Sequence, residues 1–179
     1  MNTTAELLEA VDASAEVRAH YVGSSQSELV RGLVASQDYD LAVRVSSVLL
    51  GELETLRQAH RAIGPPRNGT TEEIDVLYRL LGRWLSSEAT DDEKEKLRRL
   101  ALVAAEKLAY DGPVPILAAA IAMTGSLAGE ESAEPVFAEK QVASDLGAKS
   151  VLLTALVDED ATALIHLCEA ALTAAGTHR

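Results

Sequence analysis

Residues 38–63 read DYDLAVRVSSVLLGELETLRQAHRAI, and the spacing of their apolar side chains decides the fold class. Ala42, Val45, Leu49, Leu53, Leu56 and Ile63 recur at intervals of three and four, the repeat of one helix face. In the first half Leu41, Val43, Val48 and Leu50 make the segment apolar nearly all round, which predicts a helix surrounded by others. From Glu52 to Arg61 the pattern turns amphipathic, so this half is expected to reach the surface.

Outward from this segment the same period continues. A helix is predicted from Thr4 to about Tyr21, ended by Gly23, and a shorter one from Ser27 to Ala35 with Ser25 or Ser27 as its cap. After residues 64–70, a Pro/Gly-rich loop, Thr70-Thr71-Glu72-Glu73 reads as a capping box that opens a helix through Trp84. Thr90-Asp91-Asp92-Glu93 opens another to Tyr110, with Leu97, Leu100, Ala104 and Leu108 expected inward. Val114 to Leu127 is uncharged and reads as a buried central helix. It is shorter than the roughly 20 apolar residues of a membrane span. Residues 129–135 form an acidic loop, followed by helices at 136–146, 148–157 and 160–175, the last with Leu164, Leu167, Cys168, Ala171 and Leu172 on one stripe. No window alternates with a period of two. The expected fold is therefore all-α: one domain, residues 1–179, with about seven to nine helices packed orthogonally or as a bundle around an apolar central helix.

Composition agrees. Ala, Leu and Val dominate the 47% apolar share and aromatics are only 3%, which favours helix over strand. The net charge of −12 argues against a phosphate-backbone partner, so no nucleic acid is expected. The densest basic cluster, Lys94, Lys96, Arg98 and Arg99, is interleaved with Glu93 and Glu95 and reads as a solvated helix face with internal ion pairs. Residues 1–10 have no signal-peptide pattern, no membrane partner is expected, and the location implied is cytoplasmic.

An echo, Leu49-Leu50-Gly51 and Leu80-Leu81-Gly82, puts a glycine inside each of two neighbouring helices. Each glycine costs ~1 kcal/mol against alanine. It is either tolerated or a point where the two helices cross closely. Gly125-x-x-x-Gly129 marks another candidate close contact.

Few residues are able to carry chemistry. His20 and His60 fall in last helical turns, where the dipole favours a cation, and His178 lies in the tail. His166 sits mid-helix, three residues before Glu169, and a hydrogen bond to a neighbouring helix is its simplest role. Di-metal bundles use Glu-x-x-His on two helices. Here the order is reversed and occurs once, so no metal and no cofactor are implied. Cys168, the only cysteine, falls on a buried stripe and reads as an apolar filler. Arg44, inside an apolar run, needs a carboxylate, and Asp40 is the nearest. Alternatively Arg44 lines an anion pocket with Tyr39 and Ser47.

With no complete catalytic set, no catalytic residue is assigned and the reading leans away from an enzyme. A non-enzymatic helical protein–protein interaction module comes first, its partner itself, as a homodimer, or another protein. A small-molecule-binding helical domain, including an enzyme on an apolar substrate, comes second. Its pocket would lie between helices near Arg44 and His166, with Trp84 and Tyr110 as further ligand-binding candidates. An acidic antagonist or immunity-type protein covering a basic surface comes third.

Overall fold

The computed structural model describes residues 3–65, 70–127, 136–139 and 141–177. Every regular element among them is a helix. The helices are α1 (Thr4–Ala10), α2 (Ala15–His20), α3 (Gln26–Ala35), α4 (Tyr39–Leu50), α5 (Glu52–Ile63), α6 (Glu72–Leu85), α7 (Asp91–Lys107), α8 (Pro113–Ala122), α9 (Val142–Asp158) and α10 (Thr162–Thr177). The all-α class is as the periodicity requires, while the ten helices depart from the expected segments at three places, and the central helix ends at Ala122 rather than at Leu127.

Two expected helices are broken. The N-terminal one stops at Ala10. Asp12 takes a left-handed φ of 50°, which a short polar side chain tolerates, and the Ser14 hydroxyl caps α2 by accepting from the Val17 N–H. The segment 38–63 is interrupted at Gly51, whose φ of 74° only glycine adopts without steric cost. Ser47 secures the break, because its carbonyl accepts from the Gly51 N–H and from the Thr55 hydroxyl. The change of direction leaves Leu53 exposed rather than on a shared stripe, and α5 buries Thr55, Leu56 and Ala59 instead.

The third departure is a fusion. Val136 to Glu139 is not helical, and Ser126 and Phe137 make an isolated bridge. Beyond it α9 runs unbroken through Gly147. A Cβ there would lie 3.1 Å from Leu56 Cδ2 and 3.3 Å from Thr55 Cγ2, so the missing side chain lets α5 come close. The acidic loop at 129–135 lies outside the described residues.

α8 is the centre. Val114, Pro115 and every residue from Leu117 to Ala122 are buried, and α5, α6, α7 and α9 pack around it. This larger core continues to Leu164 and Leu167 of α10. A second core joins Leu7, Leu8 and Val11, Leu29, Val30 and Leu33 of α3, Leu41, Ala42 and Val45 of α4, and Cys168 of α10. α4 and α10 contribute to both cores.

Arg98 departs furthest from expectation. It is 4% exposed, not part of a solvated face. α7 is rotated so that Arg98, Ala101 and Ala105 face inward, while Leu100, expected inside, is 55% exposed. The guanidinium donates to the Ala122 and Ser126 carbonyls at 2.6 Å each and to both oxygens of Glu95 at 2.8 Å. It thus closes the C-terminal end of α8, where carbonyls lack helical partners and the dipole favours a cation. Gly125 makes room, since a Cβ there would lie 2.6 Å from Arg98 Nε. Gly129, its expected counterpart, is outside the described residues.

Arg98, and then Arg99, hold the Glu95 carboxyl down at about 2, against its ordinary 4.5. A depressed carboxyl contributes stability that is present above 4.5 and lost as the pH falls through about 2. Arg98→Leu, which strips the Ala122 and Ser126 carbonyls of their charged donor, is expected to cost about 2–3 kcal/mol at neutral pH. Part of the acid-induced loss of stability in that window is expected to vanish as well, as urea titrations between pH 2 and 7 would read.

Candidate functional site

The side chains singled out from sequence do not gather at one place. Arg44 is half-buried on α4 and pairs with Asp40 at 3.9 Å, the partner that the i,i+4 spacing predicts. It edges a hollow of about 330 Å³ between α4 and α9, whose other charged groups are Asp40, Asp145 and Lys149. Two carboxylates balance two cations there, so the hollow is no anion trap. The Ser47 hydroxyl donates to the Arg44 carbonyl, and neither Ser47 nor Tyr39 lines the hollow.

Trp84 is buried in the larger core and borders a different, smaller hollow beside Arg98. Tyr110 is exposed just beyond α7, in a left-handed conformation with φ of 56°. His166 is exposed on α10 and makes no hydrogen bond to a neighbouring helix among the described residues, contrary to the expectation of a ring bonded to one. The α10 helix presents Leu164 and Leu167 to the core, and His166 lies between them on the turn that faces water. Cys168 is buried as expected. Loss of solvent pushes its thiol up despite a Ser46 hydrogen bond, which keeps it protonated and a poor nucleophile. No group of three or more His, Cys, Asp or Glu among the described residues is placed to hold a metal ion. No helix among them is long and apolar enough to cross a membrane.

His60 departs from its dipole role. Its ring stacks on Tyr78 of α6, with centroids 4.1 Å apart, and Nε2 lies 3.1 Å from the Tyr78 carbonyl. The Tyr78 hydroxyl donates back to the His60 carbonyl at 3.3 Å. Burial pulls the imidazole below its ordinary 6.5, so at neutral pH it is an uncharged spacer between α5 and α6. Gly82 lies against the same ring, where a Cβ would stand 3.2 Å from Cε1 and Nε2. The sequence echo thus has two explanations: Gly51 is a chain break and Gly82 is a close crossing.

α6 and α7 form an antiparallel pair with an ion-pair clasp at each end. Arg83 Nε meets Glu93 Oε1 at 2.8 Å, and Lys107 pairs with Glu73. Glu93 serves Arg83 rather than closing the capping box with Thr90, whose hydroxyl still accepts from the Glu93 N–H. Between the clasps, one turn inward on each helix, Val76 and Val103 are 50% and 63% exposed, and Leu100 follows at 55%. In sequence, Leu100 looks like core because its neighbours Leu97 and Ala104 are on the inner side. Only the rotation that buries Arg98 turns it outward.

Elsewhere, an apolar cavity of about 290 Å³ opens where α5 and α9 end and α6 and α8 begin. None of the residues proposed from sequence lines it. The pertinent signal was the pair of helix breaks, Gly64-Pro65 and Asp111-Gly112-Pro113, which bring their flanking apolar residues to one end of the larger core.

Residues 29–175 match the family of unknown function DUF6931. The chain belongs to that family. The match runs from within α3 to within α10 and takes in both the α6–α7 face and the apolar cavity. No curated protein and no solved structure matches the chain.

The His60–Tyr78 stack gives a direct test of the core geometry. A lowered histidine contributes stability that is full above 6.5 and is lost as the pH falls through its folded value. By NMR the His60 ring is expected to titrate below 6.5 in the native protein and to move back toward that value in Tyr78→Ala, which uncovers it.

Proposed function

We propose that this DUF6931 protein is a non-enzymatic interaction module that assembles as a homodimer through the α6–α7 face. The observation that carries the reading is the strip of Val76, Leu100 and Val103, three half-exposed apolar side chains on adjacent helices between two ion-pair clasps. Single exposed apolar residues are ordinary on a surface, whereas contiguous ones rimmed by charge mark a contact.

Seven of the sixteen Lys and Arg residues lie in residues 72–107, with nine of the twenty-eight Asp and Glu, so this segment is two charges negative and the rest of the chain is ten. Per residue the two are nearly equally negative, so like charge opposes self-association at this face as elsewhere, and the apolar strip has to carry the contact. A twofold axis through the strip lays each apolar row on its equivalent, the self-complementary arrangement of cyclic dimers.

Native mass spectrometry and light scattering on the full chain test this. Val103→Asp is expected to weaken dimerisation at least tenfold with the helical signal unchanged and a melting temperature that matches the wild type diluted to monomer, because Val103 contributes to no core. Added salt is expected to leave the wild-type dimer intact or tighten it by screening like charges. Salt-induced weakening would favour instead an acidic protein that covers a basic surface. A wild-type chain that stays monomeric, or a dimer indifferent to Val103→Asp, overturns the proposal.

A further inference from the structure

Trp84, the one tryptophan of the chain, stands near the end of α6 and is nine-tenths buried in the larger core. Its indole N–H nevertheless donates to no atom among the described residues. A buried indole N–H ordinarily finds an acceptor, because it otherwise loses water without compensation. No side-chain nitrogen or oxygen among the described residues is both fully enclosed and unpartnered, so this N–H reaches an opening. The opening that Trp84 lines is the hollow of about 150 Å³ beside Arg98, bounded by Asp91, Lys94 and Glu95 of α7 and by Thr124 just beyond α8. None of Val76, Leu100 and Val103 lines it, so it is independent of the α6–α7 strip.

Two more donors border this hollow without a partner. The Lys94 ammonium makes no ion pair among the described residues, although Asp91 precedes it by one turn of α7. Arg98 spends four N–H bonds on Glu95, Ala122 and Ser126, and the fifth, on Nη1, has no acceptor among the described residues. The acceptors of the lining are already engaged or stand at the rim. Glu95 is held through both oxygens by Arg98 and Arg99, and the Thr124 hydroxyl donates to the Ile121 carbonyl at 2.8 Å. Asp91 is exposed and is the carboxylate that opposes an anion here.

We propose that this hollow binds a short-chain carboxylate, its two oxygens shared among the Trp84 N–H, the fifth N–H of Arg98 and the Lys94 ammonium. Hydrogen bonds from charged donors to a carboxylate are the strong ones, and three donors suit one such group. A second negative charge is opposed by Asp91 and by the net charge of −12, which selects a monovalent anion. An engineered cavity of about 150 Å³ holds one benzene, so a hollow of this size suits an acid of roughly two to four carbons.

The indole N–H gives a single proton–nitrogen signal in the labelled full chain, because Trp84 is the one tryptophan. Titration with acetate and propionate, sodium chloride holding the ionic strength constant, is expected to move that signal downfield and to saturate. Acetamide, the neutral isostere of acetate, is expected to leave it in place, and sulfate is expected to bind no tighter than acetate. Lys94→Gln is expected to weaken acetate about threefold, whereas Lys96→Gln, an equal change of charge at an exposed position outside the lining, leaves it unchanged. Asp91→Asn is expected to tighten acetate about twofold. The backbone amide signals of the same spectra report whether each variant is folded. A signal that does not move saturably means an ordered water only at the indole and overturns the proposal. So do an equal shift with acetamide, tighter binding of sulfate, or equal affinities in Lys94→Gln and Lys96→Gln.

Discussion

A helix buried along its whole length leaves four N–H groups and four C=O groups without intrahelical partners, in surroundings where water cannot serve them. α8 is such a helix, and the rest of the molecule is arranged around this requirement. At its start the problem is reduced by removing donors, since Pro113 and Pro115 have no N–H and Gly112 turns the chain in. At its end the problem is met by importing a donor. Arg98 reaches across from α7 to the Ala122 and Ser126 carbonyls, and Glu95 compensates its charge. The five N–H donors of the planar guanidinium serve both carbonyls and leave enough to hold both oxygens of Glu95.

The orientation of α7 follows from that. With Arg98 inward, Ala101 and Ala105 are the side chains on the same inward stripe, and their small size permits close packing against α8. The residues half a turn away, Leu100 and Val103, are then held outward, 55% and 63% exposed among the described residues. The clasps at Arg83–Glu93 and Lys107–Glu73 fix α6 beside α7, so Val76 joins the same strip. An exposed apolar row is costly to a monomer. Here it is a consequence of closing the central helix, and it is the face on which the proposed dimer rests.

The sequence was informative where local rules governed and uninformative where distant segments met. Helix class, the burial of 114–122, the Ser25 and Thr90 caps, the α10 stripe and the Asp40–Arg44 pair all follow from periodicity or short spacing, and the structure has them. The Gly51 break was hidden because apolar residues keep a helical interval on both sides of it. Only the left-handed φ, a property of the backbone, ends the helix. Gly147 suggested a break for the opposite reason: glycine disfavours helix locally, but α5 needs the space. Arg98 was read as solvated because Glu93, Lys94, Glu95, Lys96 and Arg99 around it are all charged. What buries it lies at Ala122 and Ser126, more than twenty residues away. Arg44, Trp84, Tyr110 and His166 were chosen for their chemistry, with nothing in the sequence to say whether they converge, and they stand apart.

The apolar cavity arises from the opposite end of the same central helix. Terminating a buried helix with prolines leaves a start that is both apolar and poor in donors, and the neighbouring ends of α5, α6 and α9 cannot close over it completely. At the other end Arg98 fills the corresponding space, with Gly125 set back to admit it. The two ends of α8 therefore differ in kind. One is sealed by a charged side chain of the protein, and the other presents an apolar recess between helix ends.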